Sequence, residues 1–259
     1  MGYWDNKTEL ADRARKHTFK MQEVFASEIA ECIEKTKVYD TKVMQNLEFR
    51  EPQETVFSVV DEDSVSAIMK RVGSEFKGKT AVLNFASFQN PGGKFIEGSK
   101  AQEECLCHSS FLYNVLVNRR DFYNENSQMK NKGLYSNRAL YSPDVIFMAD
   151  GSENKKCDVI TCAAPNKIPY YRYNAFTNPE NYSALLSRVT FVLSVAEQEK
   201  VDNLILGAWG CGVFMQDPED VAGLFARAFE TTFKSFKNVL FAIPNANSDN
   251  FRTFKDFIE

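Results

Sequence analysis

From about residue 55 onward the chain alternates short apolar runs with amphipathic stretches. Thr55–Val60, Ala81–Phe85, Asp144–Met148, Asp158–Ala163, Asn203–Trp209 and Asn238–Ile243 are rich in branched and aromatic residues. Most are bounded by Gly, Pro, Asn or Asp, which predicts buried strands. Between them, Leu185, Val189, Val192 and Ala196 recur at helical spacing within 181–199, and 221–233 is amphipathic. Helix starts are signalled by Asp61-Glu62-Asp63-Ser64, by Asp217-Pro218-Glu219-Asp220 and by Ser248. Residues 1–50 read as helices over 9–15 and 21–35, with Val24, Phe25, Ile29 and Ile33 on one stripe. Residues 118–143, dense in Asn, Ser and Gly, read as a long loop in which Tyr135, Arg138 and Tyr141 are candidate pocket residues. The segment 168–181 reads as an aromatic, irregular loop. Strand–helix alternation without a Pro/Gly/Ser-rich linker predicts an α/β fold: one three-layer α/β/α domain over 1–259, with a mostly parallel sheet and the N-terminal helices packed on it.

The stretch 80–117 carries the first candidate chemistry. The apolar run ends at Gln89-Asn90-Pro91-Gly92-Gly93, where two glycines permit φ > 0 and close approach of another group. A turn at the end of a buried strand is a common ligand position in α/β folds. Ser99 followed by Gln102 matches a capping box, and the helix it opens is expected to bury Leu106, Ser109 or Ser110, Tyr113 and Val117 on one stripe. Its first turns bear Glu103 and Glu104. Acids early in a helix ordinarily just complement the dipole. Paired carboxylates beside a glycine turn also suit acid–base chemistry on a glycosidic bond. Successive helical residues point about 100° apart, so the two acids are expected to take different roles.

A second glycine turn, Gly210-Cys211-Gly212-Val213-Phe214, stands between a strand and a helix start, where backbone N–H groups can form an anion-binding nest. It is not a Walker loop, because no Gly-Lys-Ser/Thr follows, and Met215 stands where a dinucleotide fingerprint would have its third glycine. Gly212 is expected to be the position where a bulky, φ-restricted residue abolishes binding.

Composition narrows the classes. Hydrophobic residues make up 44% and charged residues 25% of 259, as in ordinary globular proteins. A net charge of −4 shows no broad basic footprint and argues against DNA as a partner. No apolar run approaches a membrane span, and MGYWDNKTEL lacks the apolar core of a signal peptide, so the expectation is a cytoplasmic monomer with no membrane contact. The six cysteines include no Cys-x-x-Cys pair, and only two histidines accompany them. They are read as reduced core thiols, with no metal and no cofactor.

Asn90-Pro91-Gly92-Gly93 followed by Gln102-Glu103-Glu104, and then Gly-Ala-Trp-Gly-Cys-Gly-Val-Phe over 207–214, resemble the catalytic and diphosphate-binding loops of the microbial-type poly(ADP-ribose) glycohydrolases. The segments 141–152 and 158–166 resemble them too. The resemblance implies the macrodomain fold and release of ADP-ribose from poly(ADP-ribose) on modified proteins. It implies Glu104 as catalytic acid and Glu103 as the residue that positions the sugar. Asn90, Gly92, Gly93, Gln102, Gly210, Cys211, Gly212, Val213 and Phe214 would contact the substrate. It also makes Asp61 and Asp63 candidates, by position, for the adenine amino group. The family loop has a third glycine where this chain has Lys94. Two alternatives stand beside this reading: a macrodomain that binds ADP-ribose without turnover, and a hydrolase of another ADP-ribosyl compound such as a mono-ADP-ribosylated protein.

Overall fold

The computed structural model describes residues 3–259. The chain runs through α1 (Tyr3–Val24), α2 (Ala26–Lys35), β1 (Lys37–Asp40), β2 (Val56–Val60), α3 (Ser64–Arg71), β3 (Thr80–Phe85), α4 (Gln102–His108), α5 (Leu112–Leu116) and α6 (Arg120–Gln128). It continues with β4 (Arg138–Phe147), β5 (Lys155–Cys162), α7 (Ile168–Tyr173), α8 (Asn178–Gln198), β6 (Asn203–Leu206), α9 (Pro218–Thr231), β7 (Asn238–Ala242) and α10 (Asp249–Ile258). The strands form one seven-stranded sheet in the order β1-β4-β5-β3-β6-β7-β2. β5, β3, β6, β7 and β2 are parallel, and β4 runs antiparallel to both β1 and β5.

Side-chain alternation divides the sheet between two cores. Ala81, Leu83, Ile160 and Cys162 face one core, with Leu185 and Val189 of α8, Phe225 of α9 and Phe254 of α10. Val82, Cys157 and Val159 face the other, with Ala14 of α1, Ile29 of α2, Ile68 of α3 and Leu106 of α4. β3 sits centrally, and five of its six residues are buried. Strands buried on both faces read as continuous apolar runs, which explains their visibility in the sequence.

Four expectations are corrected. Residues 36–44 are not helical in the α sense: β1 pairs with β4 at the sheet edge, and a 3-10 turn follows at Thr41–Met44. Residues 118–143 are largely ordered as α6, a 3-10 turn and the first half of β4; Asn126 of α6 is buried and donates to the Phe88 carbonyl at 2.8 Å. The helix expected to run past Leu106 breaks at Ser109–Phe111, where Ser110 Oγ donates to Leu106 O at 2.7 Å and accepts from Leu112 N at 3.1 Å. One serine thus closes α4 and opens α5, a local bond that competes with helix continuation. The segment 168–181 is no irregular loop: it holds α7 and the start of α8, which a reciprocal Thr177–Glu180 capping box opens.

The cap signals at the other helix starts act as read. Asp63 accepts from Ser66 N at 3.0 Å, Asp217 from Glu219 N at 3.0 Å and Ser248 from Phe251 N at 3.2 Å. None of the helices among the described residues is long and apolar enough to cross a membrane.

Candidate active site

The carboxyl ends of β3, β5, β6 and β7 open on one side of the sheet, the position where ligands bind in open α/β sheets. A cavity of about 460 Å³ lies there, lined by Asp63, Phe85, Gln102, Cys105, Trp209, Gly210, Gly212, Val213, Phe214, Ile243 and Asn245 among others. Glu103 and Glu104 belong to the same first turn of α4 but not to this lining. They point into the space beneath the loop at Gly92 and Gly93.

The ladder between β3 and β6 runs from Thr80 to Val82, and beyond it Gln102 supplies the missing partner. Its Oε1 accepts from Phe85 N at 2.9 Å, and its Nε2 donates to Leu83 O at 2.8 Å and to Ser64 Oγ at 3.1 Å. The expected capping box is therefore absent: Ala101 holds the N-cap position of α4, and Gln102 ties the helix start to the strand end instead of reaching back. Chain-adjacent acids are thereby fixed against the end of the central strand.

Glu103 is 3% exposed and held by several donors. Asn84 Nδ2 donates to its Oε1 at 3.2 Å and Ser87 N to its Oε2 at 2.8 Å. Burial pushes this carboxyl up to about 8; the Ser87 and Asn84 bonds oppose the rise and the charge of Glu104 adds to it. Glu104 is 5% exposed. Its Oε1 accepts from Lys94 N at 2.8 Å, whereas its Oε2 is buried without a hydrogen-bond partner. A buried polar atom lacking a partner is costly unless something fills the place.

The loop above the acids is held by its backbone. Gly92 and Gly93 have φ of +67° and +62°. A Cβ on Gly93 would stand 2.6 Å from Glu104 Oε1 and 2.9 Å from Glu103 Oε2. Phe95, 1% exposed, anchors the loop between His108 and Tyr113, with ring centroids at 4.6 and 4.9 Å. Burying such a ring contributes about 1.5–3 kcal/mol. α1 braces the loop from outside, where a Cβ on Gly98 would meet Lys7 O at 2.1 Å.

A model of the microbial-type PARG catalytic domain matches residues 7–150, more than half of the chain. The chain belongs to this family. Microbial PARGs are glycohydrolases, and solved structures extend the likeness over nearly the whole chain. The poly(ADP-ribose) glycohydrolase of Thermomonospora curvata is 28% identical, with a TM-score of 0.86 over 97% of this chain and 100% of that one. The same enzyme bound to the inhibitor ADP-HPD is 28% identical and gives 0.83 over 96% and 99%. The Deinococcus radiodurans enzyme in complex with ADP-ribose is 30% identical and gives 0.81 over 90% and 98%. None of the curated proteins matches the chain.

The anticipated residues fall into two groups: Gly93 with Glu103 and Glu104 at the first loop, and Gln102 with Gly210, Gly212, Val213 and Phe214 along the cavity. Gly210, Gly212, Val213 and Phe214 line the cavity, but Cys211 is turned aside toward the Trp209 carbonyl, 3.9 Å from its Sγ. Asn90 is exposed at the loop tip and contributes backbone bonds to Ser87 Oγ and Gly93 N. Gly210, with φ +82°, holds the left-handed position, not Gly212. A Cβ on Gly212 meets nothing within 4 Å, so the expectation of backbone constraint there moves to Gly210, where a Cβ would stand 2.9 Å from that of Ala164. Asp63 caps α3 and lines the cavity, while Asp61 accepts from Asn245 N at 2.6 Å. Of the residues singled out in 118–143, Tyr135 reaches the site wall, its ring 4.3 Å from Phe88 and 6.2 Å from Phe214. Tyr141 hydrogen-bonds Asp158 inside the sheet, and Arg138 pairs with Glu125.

Sequence reasoning missed Asn84 and Ser87, which hold Glu103, and the β7 end at Ile243–Asn245. The carboxyl-end rule for parallel strands was the available signal for both.

The raised carboxyl has a consequence for stability. Between about pH 5 and pH 8 the unfolded chain releases the Glu103 proton while the folded protein keeps it. The folded state then binds more protons, and stability falls as pH rises through this window. Glu103→Gln cannot ionise, so its melting temperature is expected to drop less than that of the wild type between pH 5 and pH 8. Parallel melting curves across that range contradict the assignment.

Proposed function

We propose that residues 1–259 act as one catalytic unit that hydrolyses the ribose–ribose O-glycosidic bonds of poly(ADP-ribose) and releases ADP-ribose. The observation that carries this reading is the unpartnered Oε2 of buried Glu104 beneath a glycine loop, next to a cavity of nucleotide size. A module that only binds has no use for a second buried acid with a free oxygen.

In this reading the diphosphate lies over Gly210–Phe214 on backbone N–H groups, and the adenosine extends toward Asp63 and Asn245. The distal ribose enters beneath Gly92 and Gly93. Glu103, its oxygens already engaged by Asn84 and Ser87, orients ribose hydroxyls. Glu104 delivers a proton to the leaving oxygen through Oε2 and then activates water for attack on the anomeric carbon. Most glycosidases place two carboxylates on opposite sides of the bond, about 5–9.5 Å apart. Adjacent residues of one helix turn cannot straddle a bond in that way, which favours a single acid acting twice.

Lys94 replaces the family's third glycine without straining the backbone, since its φ is −113° and its N–H still serves Glu104. Its side chain is exposed. Lys94→Gly is expected to alter stability by no more than about 1 kcal/mol. It should raise the rate on polymer relative to that on mono-ADP-ribosylated protein. Unchanged rates on both substrates exclude a role for Lys94 in substrate choice.

The test of the function is incubation of the protein with ADP-ribose polymer and, separately, with mono-ADP-ribosylated protein, followed by measurement of free ADP-ribose. Release from the polymer is expected. Release only from the mono-modified protein identifies the other hydrolase, and binding without release identifies a binding module.

A further inference from the structure

The interior of α8 contains a charge that the chemistry above does not use. Arg188 is 1% exposed. Its Nε donates to Asn137 Oδ1 at 2.7 Å, its Nη2 to Leu134 O at 3.1 Å and its Nη1 to Ala163 O. All three acceptors are neutral, and among the described residues it forms no ion pair with a carboxylate. Burying a guanidinium is costly, and an apolar side chain of similar volume is usually as stable or more so. Holding carbonyl groups explains the donors but not the charge.

The position of the guanidinium supplies an explanation. The segment that follows β5 is held by Arg188 and packs against the second glycine turn. Trp209 Nε1 donates to Cys162 O at 3.2 Å, Arg188 takes Ala163 O, and Gln216 Nε2 donates to Pro165 O at 2.8 Å. A Cβ on Gly210 would stand 2.9 Å from that of Ala164. Thus the short backbone segment 163–165 is in contact with both the buried cation and the loop read as the anion site. The same guanidinium holds the carbonyl of Leu134, directly before Tyr135, whose left-handed backbone (φ +58°) sets its ring between Phe88 and Phe214.

We propose that Arg188 is a positioning residue whose buried, unpaired charge stabilises the bound diphosphate from behind the Gly210–Phe214 loop. The proposal rests on the reading of that loop as the diphosphate site. A fixed cation in a poorly solvated interior acts over longer distances than one in water, and an anion in the nest supplies the opposite charge that the protein lacks. The ionisable groups facing Arg188 are Cys162 of β5 and Tyr135 of the loop, both pushed up by burial and therefore neutral at physiological pH.

The test uses Arg188→Lys. A buried lysine gives up its proton far below its ordinary range, whereas arginine stays charged. The dissociation constants of the variant and the wild type for ADP-ribose are measured by calorimetry from about pH 5 to pH 9, with neutral adenosine as the control ligand. The variant-to-wild-type ratio for ADP-ribose is expected to climb to about tenfold as the lysine deprotonates, while the adenosine ratio stays flat. Arg188→Met, if folded by circular dichroism, should show the tenfold loss at every pH and again spare adenosine; if it does not fold, the lysine series decides alone. An ADP-ribose ratio that does not change with pH, or an equal change for both ligands, overturns the proposal and leaves Arg188 as a structural clamp. Wild-type protein that fails to bind ADP-ribose overturns the reading of the loop itself.

Discussion

Glu104→Gln is expected to cut ADP-ribose release from the polymer by at least ~10²-fold, the low end for loss of acid–base catalysis, while ADP-ribose still binds. The amide has the shape of the carboxylate and retains an oxygen to accept from Lys94 N, so the loop above should keep its path. It lacks the proton to deliver and the basicity to activate water. Initial rates on polymer and calorimetry with ADP-ribose check both halves. Near-normal turnover removes Glu104 from the mechanism and favours the binding-module reading. Glu103→Gln differs in kind: it should weaken ADP-ribose binding as well as rate, because Glu103 orients the sugar.

Gly93→Ala should come next in effect, with turnover down by about 10²-fold in a protein that still folds. The methyl group would overlap Glu104 Oε1 at 2.6 Å and Glu103 Oε2 at 2.9 Å, and the residue must hold φ near +62°. A left-handed backbone at a non-glycine residue costs about 1–2 kcal/mol, which a folded domain tolerates. Displacement of both carboxylates is the larger penalty, since a shift of about 1 Å in a reacting group costs on the order of 10²-fold. Melting temperature and turnover separate the two effects. A variant with unchanged turnover shows that the loop does not set the geometry of the acids.

The strand–helix alternation and most of the sheet were legible because buried parallel strands are continuous apolar runs with turn residues at their ends. β1 was not, because an edge strand of four residues, Lys37–Asp40, has too little pattern and depends on β4 for its existence. Residues 118–143 look like loop because their polar composition hides three anchors that only the fold reveals: Phe122, Tyr123 and Asn126 on one buried face of α6. At the site, Gly92-Gly93 and Glu103-Glu104 were visible as residue types, and the resemblance gave their order along the chain. The partners of Gln102 were not visible, since the free edge of β3 beyond Val82 is a property of the assembled sheet. Gly210 and Gly212 are equivalent in the sequence; backbone geometry alone distinguishes the strained position from the open one. Arg188 had no sequence signal, because an arginine on an amphipathic helix ordinarily faces water.

The structure of the protein with ADP-ribose bound tests the central assignment most directly. The expected complex places the distal ribose beneath Gly92 and Gly93, with its anomeric carbon approached by Glu104 Oε2, and the diphosphate on the backbone of Gly210–Phe214. A ligand seated in the cavity with its ribose directed away from Glu104, or with its phosphates elsewhere than that loop, contradicts the account.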